Sequence, residues 1–69
     1  MRIHGEVVRL EPGHGFGFIH DDHFGDWFFV AAGVRGGGIE ALRTGQRVTF
    51  QCETTFSGPR ATDIAAELV

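Results

Sequence analysis

Aromatic side chains recur at alternate positions in two short segments of the chain. Phe16 and Phe18 flank Gly17 in the first segment, and Phe28 follows Trp27 in the second. Because side chains alternate between the two faces of a strand, Phe16 and Phe18 would share one face, opposite Gly17. With Trp27 pointing inwards, Phe28 would join them from a neighbouring strand. Three flat rings on one surface are suited to stacking against the bases of single-stranded nucleic acid.

Glycine and proline separate the apolar runs at intervals typical of an all-β protein. Glu11-Pro12-Gly13 predicts a turn, Gly33–Gly38 a long loop, Ile39–Leu42 one helical turn and Thr54–Gly58 a second loop. The predicted strands are Ile3–Leu10, Gly15–His20, Asp26–Ala31, Arg47–Glu53 and Arg60–Ala66. An open sheet of this size would expose unpaired edges, so we expect a closed, five-stranded antiparallel β-barrel.

Inward-facing apolar positions define the predicted core. Cys52 follows Phe50 at a spacing of two, which predicts that it is a small buried hydrophobe. It is the only cysteine, so no internal disulfide can form, and a reducing compartment suits the chain. The other predicted core residues are Val7, Ile19, Trp27, Phe29, Val34, Val48, Phe50 and Ile64.

The chain has 69 residues, which suffice for one domain over residues 1–69. Hydrophobic residues make up 42% and charged residues 22%, as in a globular domain rather than a disordered segment. No apolar run has the length of a signal peptide or a membrane span. The sequence therefore predicts a soluble, cytoplasmic protein without a membrane partner.

The charge balance limits which partners the chain can bind. Nine acidic residues face six arginines, there is no lysine, and the formal net charge is −3. Proteins that depend on phosphate contacts are usually basic. Any binding of nucleic acid must therefore rest on base stacking, with arginines placed locally.

Several short strings, in a fixed order and at nearly constant spacing from Ile3 to Ile64, resemble the cold-shock domain. These strings are Gly5-Glu6-Val7, Gly15-Phe16-Gly17-Phe18-Ile19, Asp26-Trp27-Phe28-Phe29-Val30, Gly45-Gln46-Arg47-Val48-Thr49-Phe50 and Gly58-Pro59-Arg60-Ala61. The second resembles the first ribonucleoprotein-like motif of that family, and Phe28-Phe29-Val30 resembles the second motif. The resemblance implies an OB-fold barrel that binds single-stranded RNA or DNA across its second and third strands, acts as a nucleic-acid chaperone and needs no cofactor.

The departures from the family pattern lie on the implied binding face. This chain has Arg9-Leu10 where the family usually has a tryptophan–phenylalanine pair, and Val8 where it has a lysine. It has His14 in place of a basic residue, Val30-Ala31 in place of a histidine–phenylalanine pair, and Ile39 in place of an aromatic residue. The candidate nucleic-acid-binding residues are therefore Phe16, Phe18, Phe28, Arg9, His14, Val30, Phe56 and Arg60. His14 could add a positive charge on protonation. Phe56 is either a fourth stacking ring or a cover for the barrel end.

A simple estimate predicts weak binding. Each base–aromatic stack contributes ~1–3 kcal/mol, so three rings supply on the order of 3–9 kcal/mol before ordering costs. Micromolar binding needs about 8 kcal/mol. We therefore expect an affinity that is micromolar or poorer, unless Arg9 stacks on a base through its planar guanidinium.

Other classes of function are weighed against the same residues. The aromatic face could instead serve protein interaction or a weak homodimer, which the acidic charge favours. His20-Asp21-Asp22-His23 and Asp26 have ligand types that suit zinc or manganese, but such residues in a hairpin loop are commonly just solvated, so no metal site is expected. There is no nucleophile–base pair and no phosphate-binding loop, so no enzyme is expected.

Overall fold

The computed structural model describes residues 2–23, 25–36 and 38–67. The strands are β1 (Ile3–Glu11), β2 (Phe16–Asp21), β3 (Gly25–Val30), β4 (Arg47–Thr55) and β5 (Gly58–Ala66), and two 3₁₀ turns, Ala31–Gly33 and Gly38–Ala41, connect β3 to β4. Each predicted strand is present within two residues of its expected bounds. Ala31 begins a 3₁₀ turn rather than ending β3, and Gly37 of the predicted loop lies outside the described residues.

The strands close into a barrel in the order β1-β2-β3-β5-β4, with β4 paired back to β1. The predicted five-stranded barrel is thereby confirmed. Four strand pairs are antiparallel, whereas β3 and β5 run parallel and pair at Phe28 and Arg60. One parallel pair is unavoidable, because five strands around a closed ring cannot all alternate in direction. None of the helices in the described ranges has the length and apolar character needed to cross a membrane.

The barrel interior is filled mainly from alternate positions of the strands. Of the predicted core residues, Trp27 and Val34 are only partly buried and pack against the others. Ile39 and Leu42, from the second 3₁₀ turn and the residue after it, cover the core with Ala61. The fully buried core residues that the sequence predicted are Val7, Ile19, Phe29, Val48, Phe50 and Ile64.

The prediction that Cys52 is buried is wrong. Cys52 is an exposed free thiol, although it follows the buried Phe50 at a spacing of two. Every residue of β4 from Gln51 to Thr54 is exposed, whichever way its side chain points. In β4 the last residue of the core is therefore Phe50. Beyond it, up to Thr54, side chains on either face of the strand are exposed.

Two β-bulges change the phase of alternation. In β1 the register shifts between Val7 and Arg9, so Val8 is an extra residue relative to β2. In β5 the register shifts opposite Thr49 and Gln51, next to Asp63, whose φ of 52° lies in the left-handed region. Side chains that follow a bulge point to the opposite face from the one that simple alternation predicts.

Asp63 joins three parts of the chain at the second bulge. Its carboxylate accepts hydrogen bonds from Arg2 at 2.8 Å and from Arg35, also at 2.8 Å. Arg2 further donates to the hydroxyl and carbonyl oxygens of Thr49, each at 2.9 Å. The hydrogen bonds from Arg35 and then Arg2 lower the pKa of Asp63 below its usual value.

Replacing Gly17 by alanine should destabilise the barrel. A Cβ there would lie 2.6 Å from the carbonyl oxygen of Arg9 and 2.7 Å from Cζ of the buried Phe29. Overpacking of this kind costs about 1–3 kcal/mol, measurable as a lower free energy of unfolding in urea. Gly13→Ala is the control, because no atom lies within 4 Å of its added Cβ. Equal stabilities for the two variants would contradict this account of Gly17.

Replacing Asp63 by asparagine should destabilise the protein at neutral pH but not in acid. Asparagine tolerates the left-handed conformation, so the change removes the charge and leaves the bulge intact. Because the pKa of Asp63 is lower in the folded than in the unfolded state, its stabilisation is present above about pH 3.9 and disappears as the pH falls through the folded-state pKa.

Thermal melting of Asp63→Asn and the unmodified protein between pH 7 and pH 2.5 tests this. The difference in Tm should shrink towards zero at the acidic end. Asp22→Asn is a matched control, because the Asp22 side chain is 80% exposed and approaches His20 only at 3.9 Å. A difference in Tm that is independent of pH would contradict a stabilising role for the charge of Asp63.

Candidate nucleic-acid interface

Three phenylalanine rings form one surface, which we call the ring platform: Phe16, Phe18 and Phe28. The ring centroids of Phe16 and Phe28 are 5.8 Å apart, those of Phe18 and Phe28 5.7 Å, and those of Phe16 and Phe18 6.1 Å. All three side chains are partly exposed. The structure thus brings together the three rings that alternation places on one face.

The regular β2–β3 ladder explains why these rings face outwards. Phe18 lies opposite Phe28, and Gly17 lies opposite Phe29, without a bulge in the pairing. Gly17 and Phe29 are both buried, so the flanking residues of each strand point to the outer face. The absence of a side chain at Gly17 lets Phe29 pack directly behind the platform.

The bulge at Val8 turns two charged side chains towards the platform. Arg9 lies opposite Phe18 and Glu11 lies opposite Phe16 in the β1–β2 ladder, so all four share the outer face. The Nε of Arg9 donates to Oε2 of Glu11 at 3.0 Å. In the sequence, Glu11 is only part of the predicted turn, and no pattern there reveals the bulge that reorients its side chain.

Arg60 borders the platform from β5. Its guanidinium carbon lies 5.8 Å from the centroid of the Phe28 ring, within the range of a cation–π interaction. Its Nε is buried and has no hydrogen-bond partner among the described residues. Among those residues Arg60 also forms no ion pair, although Glu53 lies opposite it in the β4–β5 ladder. Arg60 therefore retains donors that a ligand could use.

The remaining candidates differ in their distance from the rings. The His14 ring lies 6.3 Å from that of Phe16, and Val30 lies opposite Phe16 at the end of the β2–β3 ladder. Phe56 is fully exposed in the turn between β4 and β5, and no ring contact of the described residues joins it to the platform. His14 and Val30 thus lie at the platform edge, whereas Phe56 is separate from it and does not cover the barrel end.

Trp27 lies on the inner face, opposite Ile19, rather than on the platform. Its ring meets that of Phe50 edge-on at a centroid distance of 5.9 Å. The indole Nε1 donates to Asp21 at 3.2 Å, and the backbone N–H of His23 donates to the same carboxylate at 2.8 Å. Asp21 is therefore buried with its oxygens satisfied.

The acids and histidines of the β2–β3 hairpin pair with one another. His20 shares a hydrogen bond of 2.8 Å with Asp26, and that bond raises the pKa of His20 above its usual value. In the described part of the chain, no three histidine, cysteine, aspartate or glutamate side chains are grouped as metal ligands.

Comparison with known proteins identifies the family. The model of the 'Cold-shock' DNA-binding domain matches residues 3–67. The chain is 33% identical over 64 residues to cold shock-like protein CspE of Bacillus anthracis, covering 93% of this chain and 96% of the relative. It is 33% identical over 66 residues to CspC of Shigella flexneri, covering 94% and 96%. The chain belongs to the cold-shock domain family, which is nucleic-acid-binding and non-enzymatic.

A solved structure shares the fold. The structure titled "drosophila Unr CSD456" superposes with a TM-score of 0.80 at 23% sequence identity. The match covers 99% of this chain and 27% of that longer chain. At this identity, the similarity supports the barrel fold and nothing about the ligand.

The position of Trp27 predicts that its fluorescence changes little when an oligonucleotide binds. It is the only tryptophan, and its ring faces Phe50 behind the platform. Binding should be followed in parallel by the anisotropy of a fluorescein-labelled thymidine heptamer. A rise in anisotropy without tryptophan quenching is the expected result. Strong quenching would mean that bases reach the opposite face from the one described.

Proposed function

We propose that this protein binds single-stranded RNA or DNA with low sequence specificity by stacking bases on the ring platform. The supporting observation is the mutual contact of Phe16, Phe18 and Phe28 on one partly exposed face. Every base has a π face, so stacking holds a strand without selecting its sequence. Occupied bases cannot pair with one another, which gives the protein the action of a nucleic-acid chaperone in a stress response.

Arg60 supplies the main cationic contact of this proposal. It stands beside the Phe28 ring, and its buried Nε has no hydrogen-bond partner among the described residues. The terminal nitrogens of its guanidinium also form no hydrogen bond to the described residues, and a phosphate or base oxygen beside Phe28 could accept from them. His14 and Val30 extend the contact surface beside Phe16, and Phe56 would touch only a longer strand.

Binding in this proposal is weak. Arg9 is already paired with Glu11, so its charge is largely neutralised where it meets the platform. The net charge of −3 opposes the approach of phosphate. Three stacks on the order of 3–9 kcal/mol must offset these effects and the ordering of the strand. We therefore expect micromolar or poorer affinity.

Self-association through the same face is the alternative, because the acidic net charge disfavours nucleic acid and the platform continues into the apolar Val30. A homodimer would cover the three rings and compete with an oligonucleotide. Sedimentation equilibrium with and without a thymidine heptamer separates the two. Our proposal expects the mass of one protein chain without the heptamer, and the mass of one chain plus bound heptamer with it.

Substitution of a platform ring should weaken binding without unfolding the protein. Phe28→Leu removes the π face and retains most of the bulk, and Phe28→Ala removes both. Loss of one stack of ~1–3 kcal/mol corresponds to a fall in affinity of about 5- to 150-fold for alanine, with a smaller fall for leucine. Fluorescence anisotropy with a thymidine heptamer measures the Kd, and circular dichroism checks the fold.

The arginines provide a matched pair for the electrostatic part. Arg60→Gln should weaken binding several-fold. Arg43→Gln removes the same charge from the turn before β4, where its backbone N–H donates to Gln46, and should have little effect. Equal losses from both variants would point to net charge rather than a contact at Phe28. No binding at millimolar oligonucleotide would refute the proposed function.

A further inference from the structure

The ion pair between Arg9 and Glu11 lies where an incoming base would present its edge. Both residues stand on the outer face, opposite Phe18 and Phe16 respectively. A base that stacks on Phe16 or Phe18 lies parallel to that ring, and one of its edges can face the neighbouring strand β1. On the β1 side, that edge meets the two charged side chains.

Both members of the pair keep hydrogen-bonding capacity that the described residues do not use. Only Oε2 of Glu11 accepts from Arg9, and Oε1 accepts no hydrogen bond from the described residues. Towards the described residues, Arg9 uses one of its five N–H donors. The Glu11 side chain is 34% exposed and the Arg9 side chain is 59% exposed, so a base can reach both without displacing the core.

We infer that the Arg9–Glu11 pair selects guanine at one stacking position on the platform. The inference rests on the proposed function, because the base must first stack. Guanine carries two adjacent donors, N1–H and the N2 amino group, which can both donate to the Glu11 carboxylate. Its O6 lies beside N1–H and can accept from Arg9. The donor and acceptor order of the protein pair thus matches one edge of this base.

The other bases match the pair less well. Adenine and cytosine each offer the carboxylate one amino donor. The ring nitrogen next to it is an acceptor, which either faces the negative charge of Glu11 or requires Arg9 to move. Thymine and uracil offer one N–H between two carbonyl oxygens, which repel a carboxylate. Stacking alone remains tolerant of sequence, so selection is confined to the position beside Glu11.

The experiment compares thymidine heptamers that carry one guanosine, scanned through each position, with unsubstituted heptamer. At one position of the scan, guanosine should strengthen binding about fivefold or more, the lower end of what a bidentate contact contributes to discrimination. Inosine at that position retains N1–H and O6 but lacks the N2 amino group. It should recover only part of the gain.

Glu11→Gln should abolish the preference for guanosine, because one carboxamide oxygen cannot accept both donors alongside Arg9. Affinity for the unsubstituted heptamer should stay equal or rise, since a negative charge has been removed from the platform edge. Glu40→Gln, in the second 3₁₀ turn, removes the same charge elsewhere and should retain the preference. Thermal melting checks that both variants are folded.

Each remaining outcome has a defined meaning. Equal binding of all heptamers by the unmodified protein would overturn the guanine inference and leave the proposed function standing. A uniform change in affinity for every heptamer in Glu11→Gln would reduce Glu11 to a repulsive charge and also overturn it. Failure of every heptamer to bind at millimolar concentration would refute both the proposed function and this inference.

Discussion

The outer face of the barrel depends on a close contact directly behind it. Gly17 has no side chain, so the Phe29 ring packs against its backbone and against the rest of the core. This contact fixes which residues of β2 and β3 point inwards. The neighbours Phe16, Phe18 and Phe28 must then point outwards together. A well-packed interior thus places three apolar rings at the surface, where only a ligand or a partner can cover them further.

Most of the arginines of the chain are paired with acidic residues. Arg9 is paired with Glu11, and Arg2 and Arg35 are both engaged with Asp63. Arg60 instead lies against Phe28 with an unpaired Nε among the described residues. Most of the arginines therefore hold the protein together or neutralise an acid. This distribution explains how a chain with a net charge of −3 can still present a local cation to a strand.

The fold and the outward-facing residues could be predicted from the sequence only where the pairing of the strands is regular. β2 and β3 pair without a bulge, so simple alternation identifies the buried Ile19 and Phe29 and the outward rings. In β1, the bulge at Val8 reverses the phase, and Glu11 reaches the outer face without any sign in the sequence. Cys52 was misassigned because alternation cannot tell where a core ends. Ile39 and Leu42 lie in segments too short for a periodic signal, and only tertiary packing reveals their burial.

The parallel pairing of β3 with β5 has a consequence for the motions of the barrel. The two strands pair at one position, Phe28 with Arg60, and this contact between β3 and β5 is the seam of the barrel. An isolated bridge between Val34 and Ile64 supplements it. Few backbone hydrogen bonds hold β3 to β5, so we expect these two strands to separate transiently more often than the other strand pairs. Each such opening parts the Phe28 ring from the Arg60 guanidinium. Hydrogen exchange of the backbone amides in β3 and β5 would then report how often the Phe28 ring and the Arg60 guanidinium separate.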